Sequence, residues 1–418
     1  MTTYTIPPYL LDPQTLPPII RTSEPGSFAY RTLAVRVPRI IQETIELNHF
    51  PDEIRRAVEG LREEILSGRV RGLIEDTPDR EFWNILSQPE IGHSWLDVSW
   101  YWAESFFYRR MLEATGYFQP GPGYHQDPYH AIKQSELAPD AAPHKVATLL
   151  RALPAELEER FQALFHASLW GNRIDLSYRV AVQFGRGMRP EDEREYLLVD
   201  DSADVWRFLR AAPRRRIAIL ADNAGTELLT DLALIDFLLG AQLTEQLVLH
   251  VKPQPFFVSD TMPQDVDAGL AALAQGEEEA RALAERIRGY QQEGRFQVYP
   301  HWFYPTCLFY YQLPEDLLAA LSATDLALVK GDANYRRLIG DAHWDLTTPF
   351  DRVTRYFPAP LVAMRTFKSE ELVGLAPGEG ERLYEIDPDW LVNGRRGVIQ
   401  ANFGIANRRE ISYNSGRY

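Results

Sequence analysis

Cysteine is almost absent from this chain, since Cys307 is the only one among 418 residues. A single thiol cannot form an intrachain disulfide, so we expect a reducing, cytoplasmic environment. Long hydrophobic runs are also missing: no stretch approaches the roughly 18–20 apolar residues that span a membrane. Residues 1–8 have neither a basic n-region nor an apolar h-region, so no secretory signal is expected.

Positive charge is scarce as well. The chain has 44 basic and 59 acidic residues, which gives a formal net charge of −15 at pH 7. Nucleic acids and anionic membranes attract proteins with the opposite balance, so neither is an expected partner. A site for an anionic ligand must therefore be basic locally, against the charge of the whole chain.

The chain is longer than one ordinary hydrophobic core, so we predict two domains, residues 1–190 and 191–418. Residues 1–40 are rich in Pro and Thr and are predicted to form an irregular arm. From about 38 to 170, apolar residues repeat at helical spacing, which predicts an all-α domain. From about 195, strands alternate with helices, which predicts an α/β fold: a Rossmann-like three-layer αβα domain with a mainly parallel sheet.

Two further expectations concern helices. Residues 263–292 are predicted to contain one long helix, with Pro263 in its first turn. On the aromatic helix near residues 101–112, we expect Glu104, Arg109 and Arg110 on the solvent side, where charged residues usually lie.

Polar residues follow four apolar runs that have the composition of buried parallel strands. The residues that follow them are Asp222 and Asn223 after 217–221, Asp260 after 247–251, Lys330, Asp332, Asn334 and Arg336 after 326–329, and Arg365 and Lys368 after 361–364. Because the carboxyl ends of parallel strands meet at one edge of a sheet, these side chains are predicted to converge. The acids would bind a metal ion and the Lys and Arg side chains an anion, a combination suited to a phosphoryl group.

Asp222 alone would be weak evidence for a metal site, because Asp and Asn commonly cap helices and helical periodicity follows at Leu228 and Leu232. The other strand ends are what favour a metal.

The motifs at these positions resemble those of the damage-control phosphatase family, a former domain of unknown function that includes the acidic-residue methyltransferase-like proteins. They are DNAGTE (222–227), FVSD (257–260), KGDANYR (330–336) and RTFK (365–368), and the last is similar to the RTxK motif of subfamily III. Residues 169–177 and 101–110 resemble the LWGN-x-x-DLS and ECYxYRR stretches of the same family. Thr226 and Ala333 replace an aromatic residue and a Leu of the family, which bears on the shape of the pocket.

The resemblance implies a metal-dependent phosphatase acting on small phosphorylated metabolites, especially sugar phosphates such as fructose 1-phosphate and fructose 6-phosphate. Asp222, Asn223 and Asp260 match the metal-binding positions. Glu227 matches a position associated with methyl-donor binding in one branch. The substrate-binding residues expected from the resemblance are Asp332, Asn334, Tyr335, Arg336, Lys368, Arg365, Glu227 and Asn172.

We predict that Asp222, Asn223 and Asp260 bind one divalent ion, Mn²⁺ or Mg²⁺, with Co²⁺ and Ni²⁺ as alternatives, because oxygen ligands suit hard cations. Asp222, Asp260 and Lys330 are the predicted catalytic residues. The cations Lys330, Arg336 and Lys368 would neutralise the phosphoryl oxygens. The nucleophile stays open: Asp222 could attack phosphorus, or a water activated by the ion could.

Two other functions also stay open. One is an S-adenosylmethionine-dependent carboxyl methyltransferase, although DNAGTE contains one glycine, Gly225, where methyl-donor folds commonly have a glycine-rich loop. The other is a catalytically silent sugar-phosphate binder, against which the full set of metal ligands argues. We expect a monomer whose partner is a small phosphorylated metabolite.

Overall fold

The structure, a computed structural model, describes residues 10–171, 196–211 and 214–404. Its helices are α1 (Phe28–Arg31), α2 (Val37–Leu47), α3 (Asp52–Ser67), α4 (Arg80–Ser87), α5 (Trp100–Thr115), α6 (His130–Glu136), α7 (Ala142–Arg151), α8 (Leu157–Trp170), α9 (Ser202–Ala211), α10 (Thr226–Gly240), α11 (Pro263–Ala274), α12 (Glu278–Gln292), α13 (Glu315–Ser322), α14 (Asp332–Ile339), α15 (Phe350–Thr354) and α16 (Glu379–Ile386). A π-helical turn, Thr32–Arg36, joins α1 to α2.

The strands form one sheet in the order β1-β7-β6-β5-β2-β3-β4. They are β1 (Leu197–Asp200), β2 (Arg214–Leu220), β3 (Thr244–Val251), β4 (Phe296–Pro300), β5 (Leu326–Lys330), β6 (Leu361–Thr366) and β7 (Gly397–Asn402). The five strands from β6 to β4 are parallel, whereas β7 pairs antiparallel to β6. All four predicted strand runs therefore end at the same edge, with β2 between β5 and β3.

Helices cover both faces of the sheet because alternate strand residues are apolar on both sides. Ile217 and Ile219 of β2 pack into a core with helices α7 to α12, while Ala218 and Leu220 pack into a second core with α13 to α16. The predicted α/β class with a mainly parallel sheet is thus confirmed. The boundary at residue 190 stays a prediction; α7 and α8, which precede it, share a core with the sheet.

A third core joins helices α2 to α5, rich in tryptophan and phenylalanine. The expected solvent positions of Glu104, Arg109 and Arg110 are wrong, because all three residues are buried in α5 and each charge has an ion-pair partner. Arg109, for example, forms an ion pair with Asp79 at 2.7 Å. Full burial of the helix overrides the amphipathic rule, which assumes a wet face.

Two local expectations also differ from the structure. The irregular arm is shorter than residues 1–40, since helix begins at Phe28, where the hydroxyl of Ser27 caps the backbone N–H of Tyr30. The single helix expected over 263–292 is two helices, α11 and α12, separated at Gly276. Among the described residues, no helix combines the length and the apolarity that a membrane span requires.

Candidate active site

The turn after β2 carries the first two candidate metal ligands. Asp222 and Asn223 are both buried, and Gly225 precedes the first residue of α10 with a φ of +69°. That left-handed conformation favours glycine. A side chain there would also collide with Glu136, whose carboxylate lies 2.2 Å from the position of an added Cβ.

The segment 257–260 is a strained turn that brings Asp260 to the same place. Phe257 and Val258 have φ values of +43° and +64°, which is unusual for a bulky residue and more so for a β-branched one. The turn forms an isolated bridge between Asp260 and Asn223. The Ala224 N–H donates to the Ser259 carbonyl (2.7 Å) and the Thr261 N–H to the Asp222 carbonyl (2.9 Å). These bonds hold the strained backbone in place.

The side chains at this junction form a buried acidic centre. The amide nitrogen of Asn223 donates to Asp222 Oδ2 (2.7 Å) and to Glu227 Oε2 (2.8 Å). The amide oxygen of Asn223 accepts a hydrogen bond from the Ser259 hydroxyl at 2.5 Å. A weakly positive amide nitrogen thus lies between two carboxylates, in a place that would suit a cation.

The electrostatics of this centre fit the same interpretation. Burial, followed by the charges of Glu227 and Asp260, raises the pKa of Asp222 to about 8, against the lowering effects of Lys252 and Lys368. Burial also raises the pKa of Asp260, although Lys252 lowers it. Carboxylates with raised pKa values are short of positive charge, and a bound cation would supply it.

Two features of the structure bear on whether these residues fit a metal ion: the unmet hydrogen-bonding capacity of Asp260 and the space beside Asp222. Asp260 Oδ2 receives no well-aligned hydrogen bond, although Lys252 Nζ is 3.0 Å away in an ion pair. Gly331 leaves space beside Asp222, since an added Cβ would lie 2.0 Å from its Cγ. No group of three or more His, Cys, Asp or Glu side chains in the described ranges is arranged as a metal site. The candidate donors are instead two carboxylates and the amide of Asn223. The amide oxygen accepts from Ser259 here, and the amide must turn over for that oxygen to face Asp222. Carboxylate and amide oxygens are ligands that suit a hard divalent cation.

Lys330, at the end of β5, contacts the acidic centre through Glu227 and is otherwise bonded to groups of the fold. Its ammonium donates to the carbonyl oxygen of Ser168 (2.7 Å) and to Asp231 Oδ1 (2.7 Å), and pairs with Glu227 Oε1 at 3.1 Å. Burial lowers its pKa, but the charges of Asp231 and Glu227 outweigh burial and raise it. Lys330 therefore stays charged and neutralises carboxylates of the fold.

The helix α14 begins at Asp332, directly after Gly331, whose φ is +87°. Asp332 Oδ1 accepts hydrogen bonds from Arg365 Nε (2.8 Å) and from the backbone N–H of Lys368 (3.1 Å). Burial raises the pKa of Asp332, but the charges of Arg365 and Arg336 outweigh it and leave the pKa lowered. Asp332 thus joins β5 to the RTFK segment.

Three of the expected substrate-binding side chains are engaged within the fold. Asn334 donates to the Lys330 carbonyl (2.9 Å) and accepts from the Tyr310 hydroxyl (2.8 Å). Tyr335 donates to Gln400 at 2.9 Å. Arg365, besides holding Asp332, donates to the Ser369 hydroxyl at 2.7 Å. Their polar atoms shape the site and do not face it as free donors.

Arg336 is also engaged internally. Its guanidinium pairs with Asp341 (2.7 Å) and with Glu104 of α5, and lies 3.6 Å above the ring of Trp100. Lys368 differs, because its side chain is half-buried and forms no hydrogen bond or ion pair within the described ranges, yet its charge acts on Asp222. Asn172 lies outside the described residues.

Comparison with known proteins identifies the family of the chain. A family model for the damage-control phosphatase ARMT1-like domain matches residues 32–383. The chain belongs to the ARMT1-like damage-control phosphatase family. It is therefore a phosphatase, as the resemblance in sequence predicts.

The relatives of this phosphatase span nearly its whole length. Damage-control phosphatase ARMT1 of Danio rerio is 33% identical over 90% of this chain and 94% of its own. The proteins of the same name from Mus musculus and Homo sapiens are each 29% identical over 92% of this chain and 98% of their own. The crystal structure of a DUF89-family protein from Pyrococcus horikoshii is similar with a TM-score of 0.48 and 16% identity, over 88% of this chain and 97% of that one.

Three charged residues at the candidate site were not predicted from the sequence. Lys252 donates to the Ala221 carbonyl at 2.6 Å beside its ion pair with Asp260. It directly follows the run 247–251, so the rule that located the other strand ends could have found it. Lys133 and Glu136 of α6 also contact the two ligand-bearing turns. They are about ninety residues or more from their partners, and no local pattern marks them.

Proposed function

We propose that this chain hydrolyses phosphomonoesters of small metabolites with one divalent metal ion, in metabolite damage control. The proposed substrates are sugar phosphates such as fructose 1-phosphate and fructose 6-phosphate. The observation that carries the proposal is the charge pattern at the strand ends. Asp222 and Asp260 are buried and short of positive charge, and the half-buried Lys368 acts on Asp222 without a partner of its own in the described ranges.

Asp222, Asn223 and Asp260 would hold the ion, Mn²⁺ or Mg²⁺, with Co²⁺ and Ni²⁺ as alternatives. When bound, such an ion supplies Lewis-acid polarisation of a phosphoryl oxygen. The raised pKa values of both aspartates support this role, because each carboxylate needs a cation to be ionised when buried.

The phosphate anion would be held by groups that follow Gly331 in the chain, namely Lys368 and the start of α14. Lys368 would place its ammonium against the phosphoryl oxygens as charge develops on them. The first backbone N–H groups of α14 have no partner within the helix and point toward its start, where an anion is stabilised. Asp332, Arg365 and Arg336 would fix the position of these groups, and Asn334 and Tyr335 would fix the helix.

Lys330 would then act through Glu227. Because its ammonium is bonded to Ser168, Asp231 and Glu227, it would orient the carboxylate that in turn accepts a hydrogen bond from Asn223. This role needs no direct contact between Lys330 and the substrate. Its function would be to position a candidate metal ligand and to balance buried charge.

The nucleophile is either Asp222 or a water molecule, and Asp222→Asn distinguishes them. If Asp222 attacks phosphorus, the amide variant binds ion and substrate but does not turn over. If water attacks, the variant binds the ion more weakly and regains rate as the metal concentration rises. Single-turnover kinetics beside calorimetric metal titration would give the answer; near-normal rates at saturating metal would eliminate Asp222 as the nucleophile.

The function is tested by phosphate release from a panel of phosphorylated metabolites. The protein is first stripped with a chelator, and Mg²⁺, Mn²⁺, Co²⁺ and Ni²⁺ are then added separately. We expect release from sugar phosphates only with metal. Release that persists without metal would contradict the proposed cofactor, and turnover only with S-adenosylmethionine would favour the methyltransferase.

We also propose that the chain is a monomer in a reducing cytoplasm, divided at residue 190 into the two predicted domains. Support for the reducing environment is that Cys307 is the single cysteine, so an intrachain disulfide cannot form. Light scattering coupled to size exclusion would test the monomer, and limited proteolysis would test the boundary.

A further inference from the structure

The short helix α6 reaches both turns that carry the candidate metal ligands. Lys133 and Glu136 lie three positions apart, so both side chains leave the same face of the helix. Lys133 contacts the turn after β3 and Glu136 the turn after β2. Neither residue contacts substrate in the function proposed above.

The contact of Lys133 is with the backbone of Asp260. Its ammonium donates to the Asp260 carbonyl oxygen at 3.0 Å, and two carboxylates, Asp265 (2.9 Å) and Asp127 (3.1 Å), hold that ammonium in place. Lys133 is 3% exposed, so this cluster is fixed by packing as well as by charge. It stabilises the turn that contains the left-handed Phe257 and Val258, which needs support from its surroundings.

The contact of Glu136 is with the start of α10. Its Oε2 accepts hydrogen bonds from the Thr226 N–H (3.0 Å) and from the Thr226 hydroxyl (3.2 Å). The second of these hydrogen bonds depends on the side-chain hydroxyl of Thr226. Gly225 has no side chain to block the carboxylate.

We propose that Lys133 and Glu136 are positioning residues that set the relative placement of Asp222, Asn223 and Asp260 before a metal ion binds. Partners of metal ligands orient them, and their loss typically weakens metal affinity by roughly 10- to 100-fold. The proposal rests on the proposed metal site. It makes the N-terminal helical region a part of that site, since α6 precedes the sheet in the chain.

Lys133 and Glu136 carry opposite charges, and this allows a positioning role to be distinguished from a purely electrostatic effect of each charge on the metal ion. Removal of the positive Lys133 would strengthen binding of a cation if only its field mattered, whereas loss of positioning weakens it. For Glu136, the amide variant E136Q keeps one acceptor oxygen and removes the charge, while E136A removes both. Positioning predicts that E136Q retains more affinity than E136A; a field effect predicts equal losses.

The experiment is calorimetric titration of the full-length, chelator-stripped protein with Mn²⁺ alone. We expect Lys133→Met, Glu136→Ala and Thr226→Val to bind Mn²⁺ more weakly than the wild type, roughly 10- to 100-fold for the first two. Lys145→Met and Asp140→Asn are charge-matched controls on neighbouring parts of the chain and should bind as the wild type does. Thermal unfolding of each variant reports its folded fraction, and the Glu136 and Thr226 variants suffice if Lys133→Met does not fold.

The outcomes separate this inference from the proposed function. If the wild type does not bind Mn²⁺, the proposed metal site is wrong and the inference falls with it. If the wild type binds and the folded variants bind equally well, only the positioning role is wrong. Tighter binding by Lys133→Met, or equal losses in E136Q and E136A, would likewise overturn it in favour of a field effect.

Discussion

The ends of the adjacent strands β2 and β5 each carry an aspartate, and the two have opposite electrostatic settings. Asp222, after β2, has a raised pKa because it is buried beside Glu227 and Asp260. Asp332, after β5, has a lowered pKa because Arg365 and Arg336 outweigh its burial. A buried acid that the fold has neutralised is part of the framework. A buried acid that the fold has left without enough positive charge is a candidate ligand for a cation.

The lysines near these strands repeat the contrast. Lys330 is bonded to Asp231, Ser168 and Glu227, whereas Lys368 is half-buried and has no such partner in the described ranges. Both follow apolar strand runs, so sequence position alone makes them equivalent. Only the partners of each ammonium group distinguish a structural cation from one that is available to an anion.

The largest effect is expected when the acids that are short of positive charge, Asp222 and Asp260, are removed. Asp222→Ala or Asp260→Ala should lower phosphatase activity at limiting metal by more than roughly 100-fold, above the range for losing a mere partner of a ligand. Asn223→Ala should cost less, because a neutral donor is lost. Activity and Mn²⁺ titration are measured together, with the exposed Asp267→Ala as control. Near-wild-type activity in both aspartate variants would rule out this site.

Removal of Asp332, the acid that arginines neutralise, should instead lower the unfolding free energy. Asp332→Ala leaves the buried guanidinium of Arg365 without its carboxylate, and such a loss costs about 3–5 kcal/mol of unfolding free energy. Denaturant unfolding measures it. Mn²⁺ affinity of the folded variant should stay close to that of the wild type. An unchanged stability with lost metal binding would invert the assignment of the two aspartates.

Lys368→Ala should lower kcat/KM. The expected loss of transition-state stabilisation is roughly 2–4 kcal/mol, the scale for removing one preorganised donor at developing charge. Its unfolding free energy should barely change, since the ammonium has no partner in the described ranges to lose. Lys330→Met is the matched comparison and should lower stability, because the buried Asp231 and Glu227 would lose the cation that neutralises them. If Lys368→Ala lowers only thermal stability, the anion clamp is misassigned.

The pH dependence of the unfolding free energy of the metal-free protein tests the charge deficit at Asp222 alone. The folded-state pKa of Asp222 is raised to about 8, whereas an unfolded aspartate titrates near 4. Between these values the folded state binds more protons, so the unfolding free energy falls as pH rises from about 4 to about 8. Asp222→Asn should remove this part of the slope, measured by urea unfolding across that range. Equal slopes in both proteins would mean that Asp222 is not deficient in positive charge.

Much of the candidate site could be predicted because the end of a strand can be recognised from neighbouring residues in the sequence. Asp222, Asn223, Asp260 and Lys368 each follow an apolar run, and a parallel sheet brings such ends together. The turn at Phe257 and Val258 could not be predicted, because its left-handed backbone conflicts with the preferences of both residues. Nor could the internal pairing of Arg336 with Glu104, which lies 232 residues earlier in the chain.

The sequence by itself determined the α/β class, the strands that meet at one edge and the residue types at their ends. It did so because hydrophobic periodicity and strand-end polarity are properties of neighbouring residues. Only the tertiary structure decided which charges are neutralised by the fold, which remain available, and that α6 contacts both ligand-bearing turns. Those outcomes depend on burial and on partners distant in the chain, and burial is what makes an unpaired charge costly.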